Sequence, residues 1–299
     1  MSHALPPNVV SILAMTGAVA AFSLSDVWVK LVSSHMPLGQ LIVIRNTMAT
    51  LMVLSACVWL GHLRLPPEAP KSLLAWRMFG EAGSTLAFLG GLVSLSIADA
   101  TAIAQITPIA VTAAGAIFLG EHVGWRRWLA AAVALVGVLI IVRPGTGAFS
   151  LAGLLVIVSV AFIVLRDITT RGIRETVPTL MLTLMSAASA GAAGLLLAPF
   201  ETWITPSVTD IAILAAGAAS LTCAYALITV AMRTGEIAAA MPFRYTGIVF
   251  ALAAGWLIWG DWPDPLSLLG IAIVVAAGVY TLHREHKLQR DAKIAAVNR

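Results

Sequence analysis

Stretches of about twenty apolar residues follow one another along the chain, separated by short runs of Pro, Gly and charge. They fall at roughly 9–31, 39–60, 73–96, 100–119, 127–142, 149–168, 178–198, 209–232, 236–259 and 265–283. A helix of about 20 residues crosses the hydrocarbon core of a bilayer, and only helices and closed barrels satisfy their own backbone there. The runs are continuous, not the alternating strands of about ten residues that build a barrel. The pattern predicts an all-α membrane protein of ten transmembrane helices with short loops, no soluble domain and a charged tail at 284–299.

The pattern also repeats, at an offset of roughly 140 residues. Ala21-Phe22 answers Ala161-Phe162, Pro37 answers Pro178, and Ala87-Phe88 answers Ala224-Tyr225. Asp99 answers Glu236, and Gly120-Glu121 answers Gly260-Asp261. Each half, 1–145 and 146–283, holds five spans. An odd number makes the halves face oppositely, and inverted repeats characterise transporters that open to either side in turn.

Composition agrees: 60% of residues are hydrophobic, 11% are charged and the mean hydropathy is +0.95. A soluble domain carries about 25% charged residues. The formal charge of +4 comes from cations scattered through short loops, which gives no nucleic-acid surface. Their placement sets orientation instead. With ten spans, the loop cations from Arg64 to Arg299 fall on the side of the termini. The opposite side holds only Arg143, with the acids Glu201, Asp210, Asp261 and Asp264. Both termini are therefore expected in the cytoplasm, and the protein in a bacterial-type inner membrane. No positive n-region precedes the first span, which is expected to be retained. Cys57 and Cys223 lie in apolar segments and read as small hydrophobes, not as a disulfide or a metal site. No GxxxxGK[ST] loop, HExxH motif or paired intramembrane His occurs. No cofactor or metal is expected, and an enzyme is disfavoured. A membrane enzyme or assembly protein is the non-transport alternative, and neither needs two-sided access.

Lys30, Pro37 and Arg45, then Asp99-Ala-Thr-Ala, Pro108 and Gly120-Glu121, then Gly137 and Gly278, stand in an order and spacing that resemble the drug/metabolite transporter superfamily. The resemblance is to its ten-helix EamA-type branch, and within that to the aromatic amino-acid and drug exporters. Ile248 or Gly247 stands where a second Pro108 would be, and Pro242 lies earlier in its span. The resemblance implies a basket of helices around a central cavity, with helices 5 and 10 at the periphery, where relatives dimerise. It implies export of a small molecule, amino acids with aromatic or other apolar side chains first, and nucleosides, sugars or cationic drugs as alternatives.

Ionisable residues inside spans are costly, so each is a candidate for function. Asp26 and Lys30, four apart, either neutralise each other or leave Lys30 to attract a carboxylate. Arg45, two turns into its span, either snorkels outward, lines a vestibule, or locks against Asp26 or Asp99. Asn46 beside it bonds a polar substrate or a neighbouring backbone. Glu81, four after Arg77, makes an intrahelical pair or carries a coupling proton. Asp99 and Glu236 read as charges complementing helix N-termini. Pro242 with Arg244 and Tyr245, and Pro108 with Gln105 and Thr107, mark bends that serve as hinges or expose carbonyls to substrate. Phe88 and Tyr225 are candidate aromatic walls, and Trp256, Trp259 and Trp262 read as an interface belt. A mixture of both charge signs suits a zwitterion.

Overall fold

The computed structural model describes residues 6–63, 65–119, 125–142, 151–173, 177–234 and 241–297. Among them all regular structure is helical. The helices are α1 (Pro7–Val32), α2 (Leu38–Trp59), α3 (Lys71–Leu92), α4 (Ile97–Ala104), α5 (Thr107–Leu119), α6 (Trp125–Val142), α7 (Leu151–Gly172), α8 (Thr179–Gly194), α9 (Val208–Thr234), α10 (Gly247–Trp259) and α11 (Pro265–Val297). Two 3-10 segments, Leu195–Phe200 and Met241–Thr246, extend α8 and precede α10. Gly120-Glu121 and Glu236 lie outside the described residues, as do the side chains of Pro108 and Pro242.

Helix starts follow local chemistry. Pro37, Pro70 and Pro178 precede α2, α3 and α8, and Pro7 and Pro265 open α1 and α11, where a missing N–H costs nothing. Ser96 caps α4, its hydroxyl accepting from the Asp99 N–H and donating to Asp99 Oδ2. Ser207 and Asp210 repeat that arrangement at α9. Gly260, at φ +70°, ends α10 in the left-handed conformation.

Among the described residues, six segments are long and apolar enough to cross a membrane: Val9–Val32, Leu38–Trp59, Ile97–Gly115, Leu151–Thr170, Thr179–Phe200 and Val208–Ile228. Ala132–Ile141, Phe243–Trp259 and Pro265–Tyr280 are shorter apolar helices. Helix α3 joins neither group, because Arg77, Glu81 and several Gly and Ser residues dilute its hydropathy. The molecule is a multi-pass helical membrane protein.

The tightest helix contacts are antiparallel and built on glycine. A Cβ on Gly39 would lie 2.7 Å from the Gly194 carbonyl, and one on Gly194 would lie 2.8 Å from that of Gly39. These reciprocal contacts join the start of α2 to the end of α8. Gly137 and Gly270 make the same crossing between α6 and α11, at 3.0 and 2.7 Å. Helix α3 lays Gly80, Gly83 and Gly91 against α7, and α1 runs antiparallel along α9 from Ser11–Ala231 to His35–Asp210. Small residues of this kind let backbones approach closely in membrane bundles.

One end of the bundle is stitched by polar contacts. The Gly39 N–H donates to both Glu201 carboxylate oxygens, at 2.9 and 3.0 Å. Gln40 pairs with the Ile204 backbone in both directions, and His35 Nε2 lies 2.9 Å from Asp210 Oδ1. At the other end the corresponding packing is apolar, Ala69 and Leu74 against Ile173 and Val177.

Candidate substrate site

Charged side chains from five elements gather in the interior. Glu81 of α3 is 5% exposed and makes two contacts across helices. Arg166 Nη1 of α7 reaches its Oε2 at 3.4 Å, and the Tyr225 hydroxyl of α9 donates to its Oε1 at 3.2 Å. Arg166 also holds the neighbouring Asp167 at 2.9 Å. Arg77, one turn before Glu81, donates to Thr170 Oγ1 at 3.0 Å, Ser186 Oγ at 2.6 Å and the Leu182 carbonyl at 3.2 Å. The expected Arg77–Glu81 pair is therefore absent from the described contacts. Both side chains reach other helices instead, Arg77 to α7 and α8 and Glu81 to α7 and α9.

Arg45 of α2 is also 5% exposed, so it does not snorkel. Its Nη1 touches Ser25 Oγ at 3.5 Å, and Asp26, Tyr225 and Glu81 lie within its electrostatic reach. Arg244 likewise lies within electrostatic reach of Asp167 and Arg166.

An interrupted helix and a 3-10 segment meet beside this network. The expected fourth span divides at Gln105-Ile106 into α4 and α5. Proline at 108 has no N–H for the Ala104 carbonyl, and the Thr107 hydroxyl donates to that carbonyl instead, at 2.6 Å. In the expected ninth span the 3-10 segment Met241–Thr246 leads directly into α10. Gln105 Nε2 donates to the Arg244 carbonyl at 3.2 Å, joining the break in the fourth span to this segment. Irregular helices of this kind line substrate sites in membrane transporters.

Other expected site residues lie elsewhere. Lys30 does not pair with Asp26. Its ammonium donates to the carbonyls of Leu92 and Leu95 at the end of α3 and lies 5.8 Å from the Trp259 ring centre. The free carbonyls and negative pole of a helix C-terminus hold a cation well. Trp259 thus leaves the predicted belt, while Trp256 and Trp262 remain exposed. The Asn46 amide donates to the Ile42 carbonyl of its own helix at 2.9 Å. Phe88 packs into the main apolar core. Tyr225 instead meets Phe22 edge-on, with ring centres 5.5 Å apart. Tyr245 fits its ring against Gly278 of α11, where no Cβ could stand. Arg166 and Asp167 went unrecognised in the sequence because they sit at the end of an apolar run. The repeat offset that places Arg166 opposite Asp26 is the signal that marks them. An apolar cavity of about 630 Å³ lies off the network, between α5, α6 and α7, walled by Ile106, Val138, Ile157 and Leu165 among others.

A helical membrane bundle with a charged interior beside an interrupted helix and a 3-10 segment has the makings of a transporter. The chain belongs to the EamA-like transporter family, whose profile matches residues 9–143 and again residues 150–282. It is 23% identical over 270 residues to the S-adenosylmethionine uptake transporter of Rickettsia prowazekii (strain Madrid E), covering 89% of this chain and 90% of that one. It is 28% identical over 209 residues to the riboflavin transporter of Rhizobium johnstonii, covering 68% of each. It is 26% identical over 262 residues to the pseudopaline exporter CntI of Pseudomonas aeruginosa, covering 86% of this chain and 90% of that one. One solved crystal structure shares the fold with a TM-score of 0.63 at 15% identity, over 91% of this chain and 95% of the other. These relatives uphold the superfamily resemblance and a transport role, and do not single out the aromatic amino-acid branch.

Proposed function

We propose that the protein is a secondary transporter that exports amino-acid-like metabolites across a bacterial inner membrane by alternating access. In this reading it has ten spans in two inverted repeats, 1–145 and 146–283, with a cytoplasmic tail. The spans correspond to α1, α2, α3, α4–α5, α6, then α7, α8, α9, the 3-10 segment with α10, and α11. Spans of equal rank meet antiparallel, α2 on α8 and α6 on α11. The packing of α1 on α9 has its counterpart in α3 on α7. Both arrangements are what a twofold relation in the membrane plane requires, and the double match of the family profile supports the same division.

The observation that carries the transport reading is Glu81. This buried acid of the first half is held by Arg166 and Tyr225 of the second. Contacts of that kind, across the interface between two rocking halves, can break and re-form as the central site changes sides. Arg45, Gln105, Tyr225 and Arg244 line the proposed site, and Glu81 is its coupling candidate. The cargo named for one relative, S-adenosylmethionine, bears an amino-acid head group, which fits a site of mixed charge.

The test is uptake by purified protein in proteoliposomes, with and without a pH gradient. The labelled panel holds aromatic and aliphatic amino acids, S-adenosylmethionine, riboflavin, a nucleoside and a cationic dye. Saturable uptake of amino acids or S-adenosylmethionine is expected. Uptake of riboflavin, nucleoside or dye alone would replace the cargo. Folded protein that moves no panel member would overturn the reading.

A further inference from the structure

The cavity of about 630 Å³ between α5, α6 and α7 takes no part in the charged network, and every side chain that lines it is apolar. One wall runs from Ile106, at the break before α5, to Phe118. Another runs from Ile157 to Ile168 of α7, and Leu135 and Val138 of α6 line the third side. The long walls each span about a dozen residues of helix, or about 17 Å. That is close to the depth of one leaflet, half of a hydrocarbon core of about 30 Å. Phe118 is 73% exposed and Leu135 48%, so the cavity opens sideways out of the bundle. In a membrane protein the surroundings on that side are lipid. Water finds no bonding partner along such a wall, whereas hydrocarbon fills it without cost to polar groups.

One end of the cavity is marked by charge. Phe118 stands next to the last residue of α5, and the next helix, α6, opens with Trp125-Arg126-Arg127-Trp128. Ile168 is in the last turns of α7, which finishes with Arg171-Gly172. Three cations are therefore carried by the helix ends beside Phe118 and Ile168, and in the ten-span reading that end is cytoplasmic. Cations at this depth attract the anionic head groups of the cytoplasmic leaflet.

We propose that this cavity holds an acyl chain of an anionic phospholipid from the cytoplasmic leaflet, with the head group at the end that carries Arg126, Arg127 and Arg171. The chain lies beside two contacts between the halves. Ile106 adjoins Gln105, whose amide reaches the Arg244 carbonyl, and Leu165 adjoins Arg166, which holds Glu81. A lipid chain there sets how closely the fourth span can approach α7. The site is distinct from the proposed cargo site, and its assignment to the cytoplasmic leaflet rests on the ten-span reading.

The experiment counts the lipids that purified full-length protein retains in native mass spectrometry. The protein is titrated in detergent with dioleoyl phosphatidylglycerol, dioleoyl phosphatidylcholine or dihexanoyl phosphatidylglycerol. One dioleoyl phosphatidylglycerol per chain is expected to half-saturate at least about fivefold below the phosphatidylcholine, from the attraction of the cations. It should lie at least about tenfold below the short-chain form, because each buried methylene adds to binding. Ala110→Phe and Ala161→Phe fill the cavity from opposite walls and should each lose that lipid, while Ala226→Phe, exposed on α9, keeps it. The triple variant Arg126→Gln/Arg127→Gln/Arg171→Gln leaves the cavity walls untouched and should bring phosphatidylglycerol to the level of phosphatidylcholine. That variant decides the matter if the Phe variants do not fold. Equal retention of the two dioleoyl lipids by wild-type protein, or unchanged retention in both Phe variants, would overturn the assignment. So would a member of the uptake panel that raises Tm in wild-type protein but not in Ala161→Phe while no phospholipid is retained, since the cavity would then belong to the cargo. Uptake without any retained phospholipid removes the lipid site and leaves the transporter. A retained phospholipid without uptake of any panel member keeps the site and removes the transporter.

Discussion

Glu81 is the residue on which the interior turns. Its carboxylate satisfies a guanidinium from α7 and a hydroxyl from α9 at once, so its replacements separate charge from hydrogen bonding. Glu81→Gln keeps an acceptor for Tyr225 and gives up the ion pair, while Asp167 still holds Arg166. Glu81→Ala leaves the Tyr225 hydroxyl and one face of Arg166 buried without a partner. Losing one member of a buried polar pair costs about 1–3 kcal/mol, more for a charge. The Ala variant should therefore unfold at a distinctly lower temperature than the Gln variant. If Glu81 carries the coupling proton, Gln should also abolish the response of uptake to a pH gradient while leaving substrate exchange intact. Equal stability of the two variants would show that the contacts contribute little, and a gradient response retained in Gln would exclude the coupling role. The interior position of Glu81 and Arg45 could be read from the sequence, because charge inside an apolar run is conspicuous. Their partners could not. Spacing along a chain reveals neighbours on the same helix and so pairs Arg77 with Glu81 and Lys30 with Asp26, whereas in the fold Arg77, Glu81 and Lys30 all reach other helices.

Among the helices, the same composition hides unequal roles. Gly90 and Gly91 are adjacent in α3, and the sequence marks both only as small. In the structure a Cβ on Gly91 would lie 2.6 Å from the Ala152 carbonyl of α7, while one on Gly90 would first meet the tip of Leu155 at 3.4 Å. Backbone cannot swing aside as a leucine methyl can. Gly91→Ala should thus push α7 away and destabilise the protein by about 1–3 kcal/mol. Gly90→Ala should be neutral or slightly stabilising, since alanine favours the helix by up to about 1 kcal/mol over glycine. Thermal unfolding in detergent decides it, and equal behaviour of the two variants would mean that α3 and α7 are not in such close contact. Helix starts are more legible in the sequence, since Pro37, Pro178 and Asp99 act locally; the Ser96 cap emerges only in the structure. The break in the fourth span was marked by Pro108 as a bend. That Gln105 would bridge it to Arg244, 139 residues away, depends on tertiary packing and left no local trace.

For the whole molecule the open issue is how many times the chain crosses, and which way. Hydropathy alone picks out six long spans and three shorter apolar helices, and passes over α3. Packing adds a constraint that hydropathy lacks. Gly39, Gln40 and His35 bond Glu201, Ile204 and Asp210, so the α1–α2 turn and the loop from 201 to 207 must emerge on the same face. Ala69 packs with Ile173 and Val177, which places the α2–α3 loop and the α7–α8 turn together at the other end. Seven crossings separate the start of the chain from the loop after α8, and one separates it from the turn after α1. Both numbers are odd when α3 and the interrupted fourth span both cross, as in the ten-span reading, and would differ in parity if only one of the two did. With Cys57 and Cys223 replaced by alanine, single cysteines at Ser34, Thr205 and Glu68 can be probed in whole cells with a membrane-impermeant maleimide. All three positions are exposed at the ends of helices. Ser34→Cys and Thr205→Cys should label in intact cells, and Glu68→Cys only after permeabilisation, as the cation distribution requires of a cytoplasmic loop. The reverse pattern would turn the molecule over and keep the span count. Labelling of Ser34→Cys and Thr205→Cys from opposite sides would break the inverted arrangement, and with it the alternating-access mechanism built on it.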